Sequence, residues 1–480
     1  MNRNLIKQII VTFSLAIITL ICSFTFTLNT QAAAKSNTKI YCCLYKDGKL
    51  IISQNKIKPK KGKKVLESKK LSRPSLLKNT QKVKTIELKG KIRPKNCKKY
   101  FASMGNVKTI KNLKNLDTSK CTTMNSMFGG CFKLQKLDLS HFKTSNVTDM
   151  SWMFEYCQSL KNLNLSKFNT KKLKSTKFMF LFCYNLESVN LKSFNTSNVT
   201  NMSCMFGWCE KLKNVNVIKF NTSKVTDMSG MFSGCKQLKS INVSKFNTSK
   251  ATKMSGMFED CKQLRSLSIK NFNTSNAKDM SCMFAGCSSI TKLDLSNFNT
   301  SKVKDMTGMF SDCKSLNNLN IKSFNTSNVT CMAEMFENCK ALKTLDLSNF
   351  YTPKVTDMSL MFCNCSSLTM LNLNNFSTSK VTELYSMFSN CKALKELNLS
   401  NFYTSKAIDM SSMFYNCKAL KTLDIQNFEI PDTDIRNMFE NFSPNATVIV
   451  NEYTYETICQ NKYSGKKYVK HWKVFYDEDE

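Results

Sequence analysis

A Met-Phe pair stands at Met127-Phe128 and again at Met153-Phe154, Met179-Phe180 and Met205-Phe206, continuing to Met413-Phe414 at a constant step of 26 residues. A thirteenth pair, Met438-Phe439, arrives one residue early. Twelve Cys keep the same step from Cys131 to Cys417, and twelve Phe keep it from Phe142 to Phe428. Such a period makes the body of the chain one stacked array of like units, not the few separate domains that 480 residues would otherwise suggest.

Within a unit the apolar residues follow two periods. Val225, Met228, Met231, Phe232 and Cys235 recur at steps of three and four, the spacing of one face of a short helix. Thr222 or Ser223 is placed to cap its start, and Asp227 lies in its first turn, where a negative charge suits the helix dipole. Gly234 occupies a column that also reads Gly286, Asp312, Asn338, Asn364, Asn390 and Asn416, as a left-handed stop requires. Beyond it Ile241 and Val243 alternate with Asn242 and Ser244, the period of a strand with one buried face. Neither element can bury its apolar side alone, so units must stack, strand beside strand and helix beside helix. The expected fold is α/β: a right-handed, leucine-rich-repeat-like solenoid with parallel strands on one face, short helices on the other, and a cap at each end.

The stretch Leu342-Lys-Thr-Leu345-Asp-Leu347 looks like the strand of a leucine-rich repeat. The whole unit, Leu-x-x-Leu-x-Leu-Ser-x-Phe-Asn-Thr-Ser-x-Val-Thr-Asp-Met-Ser-x-Met-Phe-x-x-Cys, resembles the bacterial surface protein repeat of the BspA-like leucine-rich proteins, over about residues 107 to 440. The resemblance implies an exported bacterial protein whose relatives are associated with the cell surface, adhesion and host or matrix contact. One departure matters. Where ordinary leucine-rich repeats place Asn or Cys after the strand, this chain has Phe246 and its equivalents, so a stacked Phe column is expected in place of a buried amide ladder.

The ends read differently. Arg3 and Lys7 precede an apolar stretch from Ile9 to Leu28, and Ala32-Ala33-Ala34 supplies a cleavage site, so residues 1–34 read as a signal peptide cut before Lys35. The membrane would then be met only in transit. Residues 35–104 form a basic capping segment, with a hairpin signal at Asp47-Gly48 between Ile40 to Tyr45 and Leu50 to Ser53, and with leucine-rich spacing at Val83, Ile86 and Leu88. The repeat array spans 105–440. Residues 441–480 read as a C-terminal cap, with Thr447 to Val450 as a final strand and an acidic tail, Asp477 to Glu480.

Composition narrows function. With 42% apolar and 11% aromatic residues the chain is not a disordered one. Its net charge of +37 falls to +35 once Arg3 and Lys7 are removed, and +19 of it lies between residues 35 and 104, where 22 Lys and Arg face Asp47, Glu67 and Glu87. Removal of the signal peptide leaves 21 Cys, so complete internal pairing is excluded. The Cys column reads as a stripe of buried thiols rather than a disulfide zipper, because each unit's Cys points the same way as the next. Cys363-x-Cys365 and the vicinal Cys42-Cys43 are the nearest approach to metal spacing, and no metal or other cofactor is expected. His141 and His471 stand far apart, Asp227, Asp305, Asp357 and Asp409 belong to a repeating column, and no Gly-rich phosphate loop occurs, so no enzyme is expected.

A ligand would meet the residues that alternate with the buried strand positions. These are Asn190, Asn216, Asn242, Asp294, Asn320, Asp346, Asn372 and Asn398, with Lys192, Lys270 and Lys322 beside them. Regular amides and ammonium groups suit a host or bacterial surface protein or a glycan. The competing class is electrostatic attachment to anionic cell-wall polymer or host glycosaminoglycan. Nucleic acid is the poorest partner, since export and the lack of a basic-aromatic motif both count against it.

Overall fold

The computed structural model describes residues 39–476; residues 1–34, expected to be a signal peptide, and the acidic run Asp477 to Glu480 lie outside them. The chain winds into a parallel-strand solenoid of about 15 turns. A five-stranded sheet opens it, built from β1 (Ile40–Tyr45), β2 (Lys49–Ser53), β3 (Val65–Leu71), β4 (Thr85–Lys89) and β5 (Thr109–Lys111) in the order β3-β1-β2-β4-β5. Gly48, at φ 89°, turns β1 back antiparallel onto β2, as Asp47-Gly48 requires. β2, β4 and β5 then run parallel, so winding begins at β4, where Ile86 and Leu88 are buried.

In the array the strands are brief: β6 (Asn162–Asn164), β7 (Ser188–Asn190), β8 (Ser240–Ile241), β9 (Ser266–Leu267), β10 (Lys292–Asp294), β11 (Asn318–Asn320), β12 (Glu396–Asn398) and β13 (Thr422–Asp424). They pair in parallel at a 26-residue offset, for example Leu293 with Leu319. β14 (Thr447–Asn451) is not the last strand. Helix α1 (Glu452–Gln460), capped by the Asn451 side chain accepting from the Thr454 N–H, leads to β15 (His471–Phe475), which lies parallel to β14.

The expected short helices of the repeat are absent from the described residues, and consecutive tight turns take their place. In residues 228–235 the N–H groups of Met231, Ser233 and Cys235 donate three residues back, to the carbonyls of Met228, Gly230 and Phe232. The intervening N–H groups of Met228, Gly230, Phe232 and Gly234 donate instead to Lys253, Ser255, Met257 and Glu259 of the next coil, at 2.8 to 3.0 Å. A helix needs i to i−4 bonds and right-handed φ throughout. Here Gly230 and Gly234 have φ of 59° and 71°, and two left-handed residues four apart break that requirement. The turns nevertheless bury Met228, Met231, Phe232 and Cys235 on one side, which is why their spacing imitates a helix. Asp227 does not sit in a helical first turn either. It lies in a line of parallel bridges from Thr123 through Asp149, Asp227 and Asp305 to Asp434, and its carboxylate accepts from the Ser229 N–H at 3.1 Å.

Thr222 likewise joins coils rather than capping a helix. Its hydroxyl donates to the Asn247 carbonyl and accepts from the Asn247 N–H, both at 2.8 Å. The same bridge recurs at Thr144, Thr170, Thr196, Thr248, Thr274 and Thr300, each buried, so one hydroxyl pairs two backbone groups in a dry interior.

The interior is one continuous apolar cluster from Ile40 to Val469. The Phe142 column stacks in runs, from Phe142 to Phe194, Phe272 to Phe298 and Phe324 to Phe402, with Phe142 and Phe168 rings 6.3 Å apart and 6° from parallel. A second stack was not foreseen. Phe101, Phe128, Phe154 and Phe180 begin it and Phe414 and Phe439 end it, with neighbours 5.5 to 6.0 Å apart. Trp472 of β15 closes it edge-on, 5.9 Å from Phe439. The column Cys from Cys131 to Cys417 are buried thiols, not a disulfide zipper; each donates to the carbonyl of a Phe 29 or 30 residues earlier, as Cys235 does to Phe206 at 3.2 Å. One pair was not anticipated: Cys97 and Cys121 form a disulfide, 24 residues apart, between the first turns of the winding.

Three measurements test this scheme. Thr248→Val leaves the Asn273 N–H and C=O unpaired and should cost about 1–3 kcal/mol for each group, whereas Thr248→Ser should cost about 1 kcal/mol, read from urea midpoints. Burial pushes the Cys131, Cys235, Cys313 and Cys417 thiols up from 9.0 to about 12. Below pH 9 these thiols are neutral in both states. Above it the unfolded chain releases thiol protons that the folded chain retains, so stability should fall as pH rises from about 9 towards 12. A maleimide at pH 8 should leave the column Cys unmodified until the protein unfolds.

Candidate functional site

The strand-side columns are held by the turn that follows each strand. In β7 the Asn190 side-chain oxygen accepts from the Lys192 N–H at 3.1 Å, and Asn242 accepts from Ser244, Asn372 from Asn374 and Asn398 from Ser400 in the same way. Asn216 does so with Ile218, Asp294 with Ser296 and Asp346 with Ser348. These bonds occupy the carbonyl edge of each amide and fix its direction, so the NH2 edge is what an incoming acceptor meets. The column is therefore structural and outward-facing at once: all of these residues are exposed. Asn320 differs, being half-buried and donating to the Asp294 carboxylate at 2.9 Å.

Of the eleven residues singled out in the sequence, three come together. Asn242, Lys270 and Asp294 line a concavity of about 590 Å³, with Arg265, Lys292 and Ser266 completing its polar rim and Leu267 its floor. It lies at one of the breaks in the strand-side ladder, since β8 pairs with β9 and β10 with β11 but β9 does not join β10. A smaller one, about 470 Å³, gathers Asn190 with Asn162, Asn164 and Asp138. Asn216, Asp346, Asn372 and Asn398 stand one to a coil along the same face, and Lys192 and Lys322 are exposed just past their strands. Arg265 and Lys292 were not foreseen as lining residues. Sequence alternation marks both as outward, but a break in hydrogen bonding leaves no compositional trace.

The electrostatics favour ionised carboxylates. Hydrogen bonds from the Ser296 hydroxyl and N–H hold Asp294 below the usual carboxylate range, and Ser348 does the same for Asp346. Beside Lys270 and Lys292 the larger concavity thus offers both signs of charge together with amide and hydroxyl donors. Among the described residues no three His, Cys, Asp or Glu side chains converge as a metal cluster would require. Cys42 and Cys43 face opposite sides of β1, one in the main core and the other packed with Tyr45 and Ile51. No helix of the described residues is long and apolar enough to cross a membrane.

Residues 95–213, 182–292, 236–345, 260–368 and 339–451 each match the family described as "Mycoplasma protein of unknown function, DUF285". No curated protein matches the chain. Among solved structures, a leucine-rich repeat protein from Bacteroides ovatus is 15% identical with a TM-score of 0.40, covering 93% of this chain and 100% of its own. One from Eubacterium ventriosum is 17% identical with a TM-score of 0.34, covering 70% and 95%. A leucine-rich cell surface protein from Faecalibacterium prausnitzii is 11% identical with a TM-score of 0.32, covering 93% and 96%.

The Asn242 turn is directly testable. Asn242→Asp keeps the acceptor and should leave stability within about 0.5 kcal/mol, while Asn242→Ala removes it and should cost about 0.5–1.5 kcal/mol, measured by thermal unfolding.

Proposed function

The chain belongs to the DUF285 family and is a BspA-like leucine-rich repeat protein, and from that premise we propose that it is an exported surface module that holds a protein or glycan ligand on its strand-side face. The observation that carries this reading is the concavity over the β9–β10 interruption. Asn242, Lys270 and Asp294 are brought together there from three successive coils, with the directions of Asn242 and Asp294 set by their turns. Ligand recognition of this kind rests on pre-set polar groups around a modest apolar floor, here Leu267 and Ile269. The remaining column residues, Asn190, Asn216, Asn320, Asp346, Asn372 and Asn398 with Lys192 and Lys322, would extend the contact along the coils. In this reading the protein binds and does not catalyse, and it works outside the cell, after loss of residues 1–34.

A second reading has its own support. The +19 of residues 35–104 is concentrated at the end that carries the five-stranded sheet, and charge of that density attracts anionic wall polymer or glycosaminoglycan without a shaped site.

Salt separates the two. Binding of the chain from Lys35 onward to matrix protein, mucin and purified cell wall is measured from low to moderately high ionic strength. The strand-side reading expects at least one surface to retain binding at about 0.3 M salt and to lose it in Lys270→Ala/Asp294→Ala. Attachment that disappears from every surface, and that falls when Lys56 to Lys70 are neutralised, would leave the electrostatic reading alone.

A further inference from the structure

The turn row carries two columns of left-handed residues through the coils, and in three adjoining coils the sequence fills them with large aromatic side chains. The second column reads Gly130, Gly234, Asp260, Gly286, Asp312, Asn338, Asn364, Asn390 and Asn416, all suited to positive φ. In the three coils between Gly130 and Gly234 it reads Tyr156, Phe182 and Trp208, at φ 57°, 60° and 57°. The first column becomes aromatic beside them, at Trp152 and Phe178, with φ 56° and 58°. Large rings pay for this backbone in conformational energy, and other coils close the same turns with smaller residues such as Gly, Asn, Asp, Ser or Cys. Glu334 and Leu360 also occupy the first column at positive φ, but aromatic rings are confined to these adjoining coils, and that concentration marks a surface kept for use.

The rings form two neighbouring runs, one per column. Trp152 lies 5.5 Å from Phe178, Tyr156 lies 4.6 Å from Phe182, and Phe132, 41% exposed, meets Tyr156 edge-on at 6.1 Å. Trp152, Tyr156, Phe178 and Trp208 are each half-exposed. Lys177 stands over both Phe178 and Trp152, at 4.7 and 5.7 Å, and Lys236 stands 5.3 Å over Trp208 while also paired with Glu210. Because the rings stack on one another and lysines sit over their faces, they offer no open platform for sugar stacking. What they present outward is apolar edge with ammonium beside it, and that complements a carboxylate next to an apolar side chain.

We propose that this patch, on the turn row and separate from the strand-side face, docks an acidic polypeptide segment that carries aromatic or aliphatic side chains. The carboxylates meet Lys177 and compete with Glu210 for Lys236, and the apolar groups fit between the edges of Phe132, Trp152, Tyr156 and Trp208. Nothing in it depends on the strand-side concavity, so either surface can fail without the other.

The experiment pans a phage-displayed library of random dodecapeptides on the chain from Lys35 onward, with counter-selection on Trp152→Ser/Trp208→Asn. These replacements are residue types that other coils carry in the same columns, Ser126 and Asn338. Selected peptides should be enriched in Asp and Glu next to Phe, Tyr or Leu and depleted in Lys and Arg. Their affinity should drop at least tenfold on the aromatic double variant and severalfold on Lys177→Gln/Lys236→Gln, while the urea midpoint of the aromatic variant is unchanged or raised. The proposal is overturned by selection of basic or uncharged peptides, by no peptide that distinguishes the variant, by a lowered midpoint with affinity intact, which makes the rings packing residues, or by an oligosaccharide array that loses signal on the variant when no peptide does.

Discussion

Everything in this solenoid hangs on the backbone of the turn row, where alternate N–H groups look backwards within a coil and forwards into the next. Residues 228–235 use the first set to hold their own curvature and the second to join the neighbouring coil. A helix satisfies its amides internally and can stand alone; these turns cannot. Each coil therefore completes the hydrogen bonding of the one before it, and the buried Thr222 hydroxyl, pairing both backbone groups of Asn247, extends the dependence past the turns. The strand side contributes less, since its ladder is made of pieces two or three residues long and is interrupted between β9 and β10. The side of the repeat that looks irregular is the one that carries continuity.

Apolar packing follows from that register. With coils locked at a fixed step, Phe232 meets Phe258 of the next unit, and a second column, stacked in runs, forms because a second Phe per coil is buried, as Phe246 is. The thiols fit the same logic. Cys235 reaches a carbonyl that already accepts one backbone bond, that of Phe206, and has no partner thiol in its way.

Much of this was legible in the repeat. Period, strand position, the Phe142 column, the thiol stripe and the left-handed column at Gly234 could all be read from spacing, because each depends on side-chain identity at a fixed step. The turn row could not be told from a helix. Val225, Met228, Met231, Phe232 and Cys235 fall on one side in either geometry, and what distinguishes them is where the N–H groups go, which side chains do not record. The left-handed column at Gly230 was hidden too, since elsewhere it holds Trp152, Phe178, Cys204 and Leu360. On the strand-side face alternation identified the outward residues but not the place where Asn242, Lys270 and Asp294 are drawn into one concavity, because that depends on how neighbouring coils sit against one another.

The disulfide between Cys97 and Cys121 bears on how such an array responds to mechanical load. Coils that touch only their neighbours come away from an end one at a time under tension, each surrendering one coil's worth of bonds. A covalent tie between the first turns of the winding removes the easiest of those steps. A pull arriving through the basic N-terminal segment must detach that pair together, so the force is shared across two coils before the first Phe and Thr contacts of the array give way.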